Sequence, residues 1–109
     1  MRMIRCVLIC SIFVPAGVAL AWDGAVAGRV LIADVTDGPN YTFRITLQGV
    51  PALCGNTTTW AYVDRGNTSY ESYVAILLSA KALGDQVTVY STRDATGYCR
   101  IGYVSAQSS

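Results

Sequence analysis

The chain has 109 residues, which suits one small domain. Its eight basic and seven acidic residues leave a formal net charge of +1 and form no basic stripe, so the sequence lacks the electrostatic signature of a nucleic-acid-binding protein. It contains no histidine, the side chain used most often as a general base and as a metal ligand. We therefore expect no catalytic residue, no metal site, no cofactor and no nucleic-acid partner. An enzyme built on converging carboxylates is the least favoured hypothesis.

Residues 1–21 have the three parts of a secretory signal peptide. Two arginines give a positive start, residues 6–14 form an apolar run, and residues 19–21 match the small-x-small cleavage pattern. A membrane anchor is the alternative, but the apolar run is shorter than the roughly 18 residues needed to span a bilayer. We predict a mature domain over residues 22–109, without a membrane span, that is secreted or periplasmic.

Two cysteines, Cys54 and Cys99, lie outside the predicted signal peptide. Cysteine pairs in exported domains usually oxidise, and no histidine is present to share a metal site with them. The sequence therefore predicts one disulfide, which the chain-entropy model values at about 4 kcal/mol. Two free buried thiols are the alternative.

The first half of the mature chain predicts two strands. Residues 28–35 are rich in β-branched side chains, and residues 37–40 (DGPN) are four turn formers in a row. In residues 41–48, apolar and polar side chains alternate strictly, so one set faces a core. We expect an antiparallel hairpin whose buried set is Tyr41, Phe43, Ile45 and Leu47.

A loop over residues 49–58 leads to a short aromatic strand predicted at residues 59–64. The apolar spacing then changes to three and four residues, which indicates a helix. Thr68 and Glu71 match a capping box at its start, and Gly84 matches the glycine that follows a helix end.

Two further strands are predicted after the helix, at residues 86–92 and 98–105, with a polar turn between them. The residues after 105 are expected to fray. The predicted single face of the last strand consists of Cys99, Ile101, Tyr103 and Ser105.

The predicted element order is β-β-β-α-β-β. This mainly β order, in one small domain, matches the five-stranded OB-like barrel, here with one helix and one disulfide. A generic α+β sandwich is the alternative fold.

Aromatic residues give the one positive indication of binding, because the mature chain holds seven tyrosines and two tryptophans. Tyrosine has an apolar ring and a polar tip, which suit sugar faces and protein interfaces alike. Core packing is the equally weighted alternative. The candidate ligand-binding residues, grouped around the third strand and the helix start, are Asn56, Thr58, Trp60, Tyr62, Asp64, Asn67 and Tyr70.

The helix sequence LLSAKALG at residues 77–84 and the closing CRIGYVS at residues 99–105 resemble a group of small exported bacterial proteins. That resemblance covers residues 28–105, and most members of the group have no assigned activity. More remotely, the size, leader, cysteine pair and strand order are similar to the B subunits of AB5 toxins, especially the subtilase-cytotoxin type. This second resemblance implies an OB-fold, a ring pentamer and glycan binding, but no sugar-contacting residue is transferred to this chain.

Two functional hypotheses follow. The first is an exported, non-catalytic, toxin-B-subunit-like module that binds cell-surface glycans as a homo-oligomer. The alternative is a periplasmic or secreted protein that binds or inhibits another protein, or has a structural role.

Overall fold

The computed structural model describes residues 21–108. The predicted signal peptide therefore lies outside the described residues, except for its last position. The described part of the chain forms five strands, one short 3-10 turn and one α-helix. In chain order these are β1 (Gly24–Val35), the 3-10 turn (Gly38–Asn40), β2 (Phe43–Leu47), β3 (Ala61–Val63), α1 (Tyr70–Leu83), β4 (Gln86–Arg93) and β5 (Cys99–Gln107).

The strands join in the order β1-β2-β3-β5-β4, and β4 pairs again with β1 to close a barrel. All pairings are antiparallel except that of β3 with β5, which is parallel. The parallel junction is short, because it consists of the pairs Ala61–Cys99 and Tyr62–Arg100. This arrangement confirms the predicted β-β-β-α-β-β layout of an OB-like barrel, and it is not the alternative sandwich.

The first hairpin forms as predicted, with Phe43, Ile45 and Leu47 buried, but Tyr41 is not part of it. Strand β2 begins at Phe43 because Tyr41 and Thr42 adopt left-handed backbone angles, with φ of 72° and 48°. The amide of Thr36 donates to the carbonyl of Thr42 over 2.6 Å and closes this turn. The prediction that Tyr41 is a core residue is therefore wrong.

The helix ends as predicted and begins differently. Gly84 follows the last helical residue with a φ of 72°, and its amide bonds to the last turn. The predicted capping box is wrong, because the N-cap is Ser69 and makes no side-chain capping bond. Instead the side chain of Asn67 accepts a 2.8 Å hydrogen bond from the amide of Ser69. An asparagine turn thus sets the entry to the helix.

Strand β5 departs from the predicted alternation halfway along. The register with β4 shifts between the pairs Tyr90–Tyr103 and Ser91–Ile101, which leaves Gly102 as an extra residue. This bulge turns Tyr103 outward, where it is 50% exposed, and turns Val104 into the core. The prediction that Cys99, Ile101, Tyr103 and Ser105 share one face is therefore wrong, because the first two are buried and the last two are exposed. The predicted fraying is also wrong for Ala106 and Gln107, which pair with β4.

The core fills the barrel and the space under the helix. Leu77 and Ala80 are the buried helix residues, whereas Leu78 is 46% exposed. The core also receives Leu53 from the loop before β3. Its large buried side chains are Phe43, Ile45, Leu47, Leu53, Val63, Leu77, Val87, Val89 and Ile101.

The predicted disulfide between Cys54 and Cys99 is present and fully buried. It joins residues 45 positions apart in sequence, with their Cα atoms 5.5 Å apart. The bond ties the loop before β3 to the first residue of β5, next to the short parallel junction.

Within residues 21–108, no helix is long and apolar enough to cross a membrane. The same residues contain no group of three or more cysteine and carboxylate side chains placed to hold a metal ion.

Candidate functional site

Four aromatic rings meet on one side of the barrel. We call Tyr41, Trp60, Tyr62 and Tyr98 the aromatic platform. The ring of Tyr41 lies at its centre, with centroid distances of 4.7 Å to Tyr62, 5.2 Å to Tyr98 and 5.7 Å to Trp60. Trp60 and Tyr98 are 4.9 Å apart. The contacts are tilted or edge-on, which is the geometry that aromatic pairs prefer.

The barrel topology brings these rings together from distant parts of the chain. Tyr41 belongs to the β1–β2 loop, Trp60 and Tyr62 to the start of β3, and Tyr98 to the turn before β5. The parallel pairing of β3 with β5 sets Tyr62 beside Arg100 and so places Tyr98 near Trp60. Tyr98 is 38% exposed, so the platform reaches solvent at this ring.

The left-handed turn at Tyr41 and Thr42 aims the Tyr41 ring at the platform. Non-glycine residues in this backbone region are uncommon, and a β-branched residue such as Thr42 is more so. The hydroxyl groups of Tyr41 and Thr96 lie 3.3 Å apart. The β1–β2 loop and the β4–β5 turn therefore meet directly at the platform.

Asp94 organises the β4–β5 turn that carries Tyr98. Its Oδ1 accepts hydrogen bonds from the amides of Thr96 and Tyr98, both 2.9 Å long, and a 2.7 Å bond from the Thr96 hydroxyl. Its Oδ2 accepts from Tyr62. Burial alone would raise the pKa of Asp94, but these hydrogen bonds outweigh it and lower the pKa to about 2. The carboxylate is thus ionised across the physiological range.

Tyr62 is the buried member of the platform, with 7% of the residue exposed. Its hydroxyl donates a 2.6 Å hydrogen bond to Asp94. Burial and then the Asp94 carboxylate raise the pKa of Tyr62 far above its ordinary value. The hydroxyl is therefore a permanent donor that holds the turn to β3.

A cation lies on the platform as well. The guanidinium of Arg44 is 5.0 Å from the centre of the Trp60 ring, within the range of a cation–π contact. It also forms a 3.5 Å ion pair with Asp34. The positive charge at this face is consequently balanced by a neighbouring carboxylate.

Two open depressions flank the platform. The larger, of about 370 Å³, is lined by Thr36, Asn40, Tyr41, Arg44, Trp60 and Tyr98. The smaller, of about 180 Å³, is lined by Gly38, Tyr41, Thr42, Tyr62, Val63, Asp64 and Arg65.

The structure does not bring the seven candidate residues predicted from the sequence together in one site. Trp60 and Tyr62 belong to the platform, and Asp64 lines the smaller depression. Asp64 also accepts a 3.0 Å hydrogen bond from the amide of Gly66. Tyr70 starts the helix, packs partly on the core and lies under the guanidinium of Arg65.

The side chains of the other three candidates form hydrogen bonds with backbone groups of nearby loops. The side-chain amide of Asn56 donates to the carbonyl of Gly97 over 2.8 Å, and its Oδ1 accepts from the amide of Thr58. The Thr58 hydroxyl also bonds to Gly97, over 3.4 Å. Asn67 sets the helix entry as described. Asn56 and Thr58 thereby hold the turn next to Tyr98.

Sequence reasoning missed four residues that the structure places at the site: Tyr41, Arg44, Asp94 and Tyr98. Tyr41 fits the β2 alternation, which predicts a core position for it. Arg44 was visible as an outward position of that strand, opposite Tyr62. Asp94 opens a turn that continues through Ala95, Thr96 and Gly97, which is a typical aspartate-capped turn. Nothing in the sequence around Tyr98 indicates that it belongs to the site, because only the closure of the barrel brings it next to Trp60.

A second aromatic group is formed by Trp22, Tyr90 and Tyr103. Tyr90 and Tyr103 stack at 4.6 Å, and Trp22 lies about 6 Å from Tyr90. The ring of Trp22 covers Gly102, leaving no room for a side chain there. No ring pair in residues 21–108 joins this group to the platform, so it serves as an internal comparison.

Comparison of the chain with protein-family models, with curated proteins and with solved structures finds no significant match.

Proposed function

We propose that this chain is an exported, non-catalytic binding module that binds cell-surface glycans through the aromatic platform, and that it acts as a homo-oligomer. The observation that carries the proposal is the position of the platform on the barrel. OB-folds bind oligosaccharides and oligonucleotides on the face of strands 2 and 3, between the β1–β2 and β4–β5 loops. Tyr41, Trp60 and Tyr98 lie on that face and on those two loops.

The chemistry of the platform favours sugars over nucleic acids. Aromatic rings offer apolar area to the C–H face of a sugar, while Asn40, Thr36 and Arg44 offer hydrogen-bond groups to its hydroxyls. A single-strand-binding surface combines stacking rings with a positively charged groove. Here Arg44 on Trp60 is paired with Asp34, Arg65 shares the smaller depression with Asp64, and the Asp94 carboxylate lies behind the rings.

Backbone strain at the β1–β2 loop gives independent support. Left-handed residues other than glycine cost energy and cluster at ligand-binding sites. Tyr41 and Thr42 are two such residues in sequence, and one of them presents the central ring. Strain retained at a loop that points a tyrosine at an open depression is typical of a functional site.

The oligomer is supported by exposed aliphatic side chains on β1. Leu31, Ile32 and Val35 are 42%, 45% and 72% exposed. Leu31 and Ile32 are adjacent in β1, whereas Val35 pairs with the buried Phe43 and lies on the other face of the strand from Ile32. Neighbouring exposed apolar side chains such as Leu31 and Ile32 are a common feature of surfaces that meet another protein. They also favour the second candidate function, a module that binds a different protein. Native mass spectrometry of residues 22–109 separates the two, since a pentamer supports the first and a monomer the second.

A glycan array probed with residues 22–109 tests the proposed function. We expect binding that is lost in Trp60→Ala and Tyr98→Ala and retained in Tyr103→Ala, which removes an exposed ring from the second aromatic group. Circular dichroism shows that each variant is folded. An array without signal from the folded parent would contradict the proposal, as would equal loss in the Tyr103 variant.

A further inference from the structure

Tyr41 separates the two depressions beside the platform. Among residues 21–108, it is the one residue that lines both of them. Its ring stands edge-on to Tyr98 on the larger side and lies 4.7 Å from Tyr62 on the smaller side. Any ligand that enters both depressions therefore has to pass over this ring.

The two depressions differ in chemistry. The larger has three aromatic rings in its wall, with the Arg44 guanidinium on one of them. The smaller has the exposed Asp64 and Arg65, and besides Tyr41 it is lined by Tyr62, whose hydroxyl already donates to Asp94. The larger suits the flat apolar face of a sugar ring, whereas the smaller suits hydroxyl groups that donate to a carboxylate and accept from a guanidinium.

The volumes of the two depressions limit the size of ligand that each can bind alone. Ligand pockets commonly occupy about 300–1,000 Å³, so the larger lies at the low end of that range and the smaller below it. Both are also open to solvent. A single sugar unit in one depression leaves the other unused, while a linear chain uses both.

We infer, resting on the proposed function, that the ligand is a linear oligosaccharide of at least two units that crosses Tyr41. One unit stacks in the larger depression, and the next reaches Asp64 and Arg65 in the smaller. Tyr41 is the ring over which the glycosidic link passes. Chain length, beyond the identity of the terminal sugar, then determines affinity.

The test uses residues 22–109 carrying Trp22→Phe, so that Trp60 is the only tryptophan and its fluorescence reports on the larger depression. The probes are three series that run from the monosaccharide to the tetrasaccharide, based on cellobiose, maltose and chitobiose. In a series that binds, we expect Kd to fall about tenfold or more between one unit and two or three units.

Two variants locate the second unit. Arg65→Ala and Asp64→Asn alter the smaller depression, and the latter keeps an oxygen for the Gly66 amide. We expect either to remove most of the gain with length while leaving the monosaccharide Kd unchanged. Asp37→Asn is the matched control, because this exposed aspartate lines neither depression.

The outcomes are distinct from those of the glycan array. Equal affinity for one and four units, or a gain with length that survives in both variants, overturns the inference and leaves glycan binding intact. If none of the three saccharide series binds, the inference is overturned for those saccharides. The glycan array then shows separately whether the protein binds glycans at all. Binding of a proline-rich peptide to the same fluorescent variant, without any saccharide, assigns the groove to a protein ligand and contradicts both.

Discussion

The hydroxyl of Tyr62 donates a 2.6 Å hydrogen bond to Oδ2 of Asp94, two residues that are 32 positions apart in the chain. One belongs to β3 and the other to the turn between β4 and β5. The bond crosses the short parallel junction of the barrel, close to the disulfide. The same pair therefore stabilises the closure of the barrel and fixes the turn that carries Tyr98.

Removing the Tyr62 hydroxyl should destabilise the domain. Hydrogen bonds to charged groups contribute about 1.5–3 kcal/mol, and Tyr62→Phe leaves the ring in place. We expect the free energy of unfolding in urea to fall by an amount in this range. Tyr103→Phe removes a hydroxyl from a half-exposed ring and is the control. Equal stability of Tyr62→Phe and the parent would contradict the assigned role.

The effect of Tyr62→Phe should depend on pH in a definite direction. The pKa of Asp94 is held at about 2, below its ordinary value of 3.8, so its stabilising contribution is present above that ordinary value. The contribution is lost as the pH falls through 3.8 towards 2. We expect the difference in unfolding free energy between parent and variant to be constant near neutral pH and to shrink below about pH 4. A difference that stays constant down to pH 2 would exclude this coupling.

The disulfide should supply a large share of the stability. In the chain-entropy model, a loop of 45 positions is worth about 4 kcal/mol. We expect residues 22–109 with both Cys54→Ala and Cys99→Ala to lose about this much in urea unfolding. The parent, denatured without reductant, should show no free thiol. Two titratable thiols in the parent would refute the bond, and an unchanged midpoint in the double variant would refute its contribution.

Gly24 should be far less tolerant of substitution than Gly38. A Cβ at Gly24 would overlap the carbonyl of Leu53 and lie 2.9 Å from Cα of Cys54, and both are backbone atoms that cannot rotate away. A Cβ at Gly38 meets nothing within 4 Å. We expect Gly24→Ala to cost about 1–3 kcal/mol, as overpacking does, and Gly38→Ala to be close to neutral in thermal unfolding. Similar melting temperatures for the two variants would contradict the close approach.

Asn56 should act as a positioning residue for the platform. Asn56→Asp keeps the acceptor for the Thr58 amide but sets a second oxygen against the carbonyl of Gly97. We expect it to lower stability by about 1–3 kcal/mol and to weaken ligand binding through the displaced Tyr98 turn. Thr57→Val, at the exposed neighbouring position, is the control. Weakened binding at unchanged stability would instead indicate direct contact between Asn56 and the ligand.

Local sequence signals predicted the parts of the fold that depend on near neighbours. The alternation of Phe43, Ile45 and Leu47 defined β2, and Gly84 defined the helix end, because both depend on a few adjacent residues. The disulfide was predicted because Cys54 and Cys99 lie outside the predicted signal peptide, no histidine is present to share a metal site with them, and cysteine pairs in exported domains usually oxidise. None of these required knowledge of the closed barrel.

The remainder depends on long-range geometry. The same alternation assigned Tyr41 to the core, since nothing in it reveals that Tyr41 and Thr42 leave the extended backbone. The bulge at Gly102 reverses the face of Tyr103 through the register with β4, which the last strand alone does not encode. Only part of the candidate site was predicted, because the rest of it also depends on long-range geometry. Trp60 and Tyr62 carried a local aromatic signal, whereas Tyr98 joins them only through barrel closure.

The most direct measurement of the central claim is an NMR titration of ¹⁵N-labelled residues 22–109 with cellotriose, maltotriose and chitotriose. The two tryptophan indoles report separately on the platform and on the second aromatic group, so the control lies within one sample. We predict that a binding trisaccharide shifts the Trp60 indole and the amides of Tyr41 and Tyr98, while the Trp22 indole stays in place. Shifts centred on Trp22 and Tyr103, or none with any of the three trisaccharides, would contradict the assignment of the platform as an oligosaccharide-binding surface.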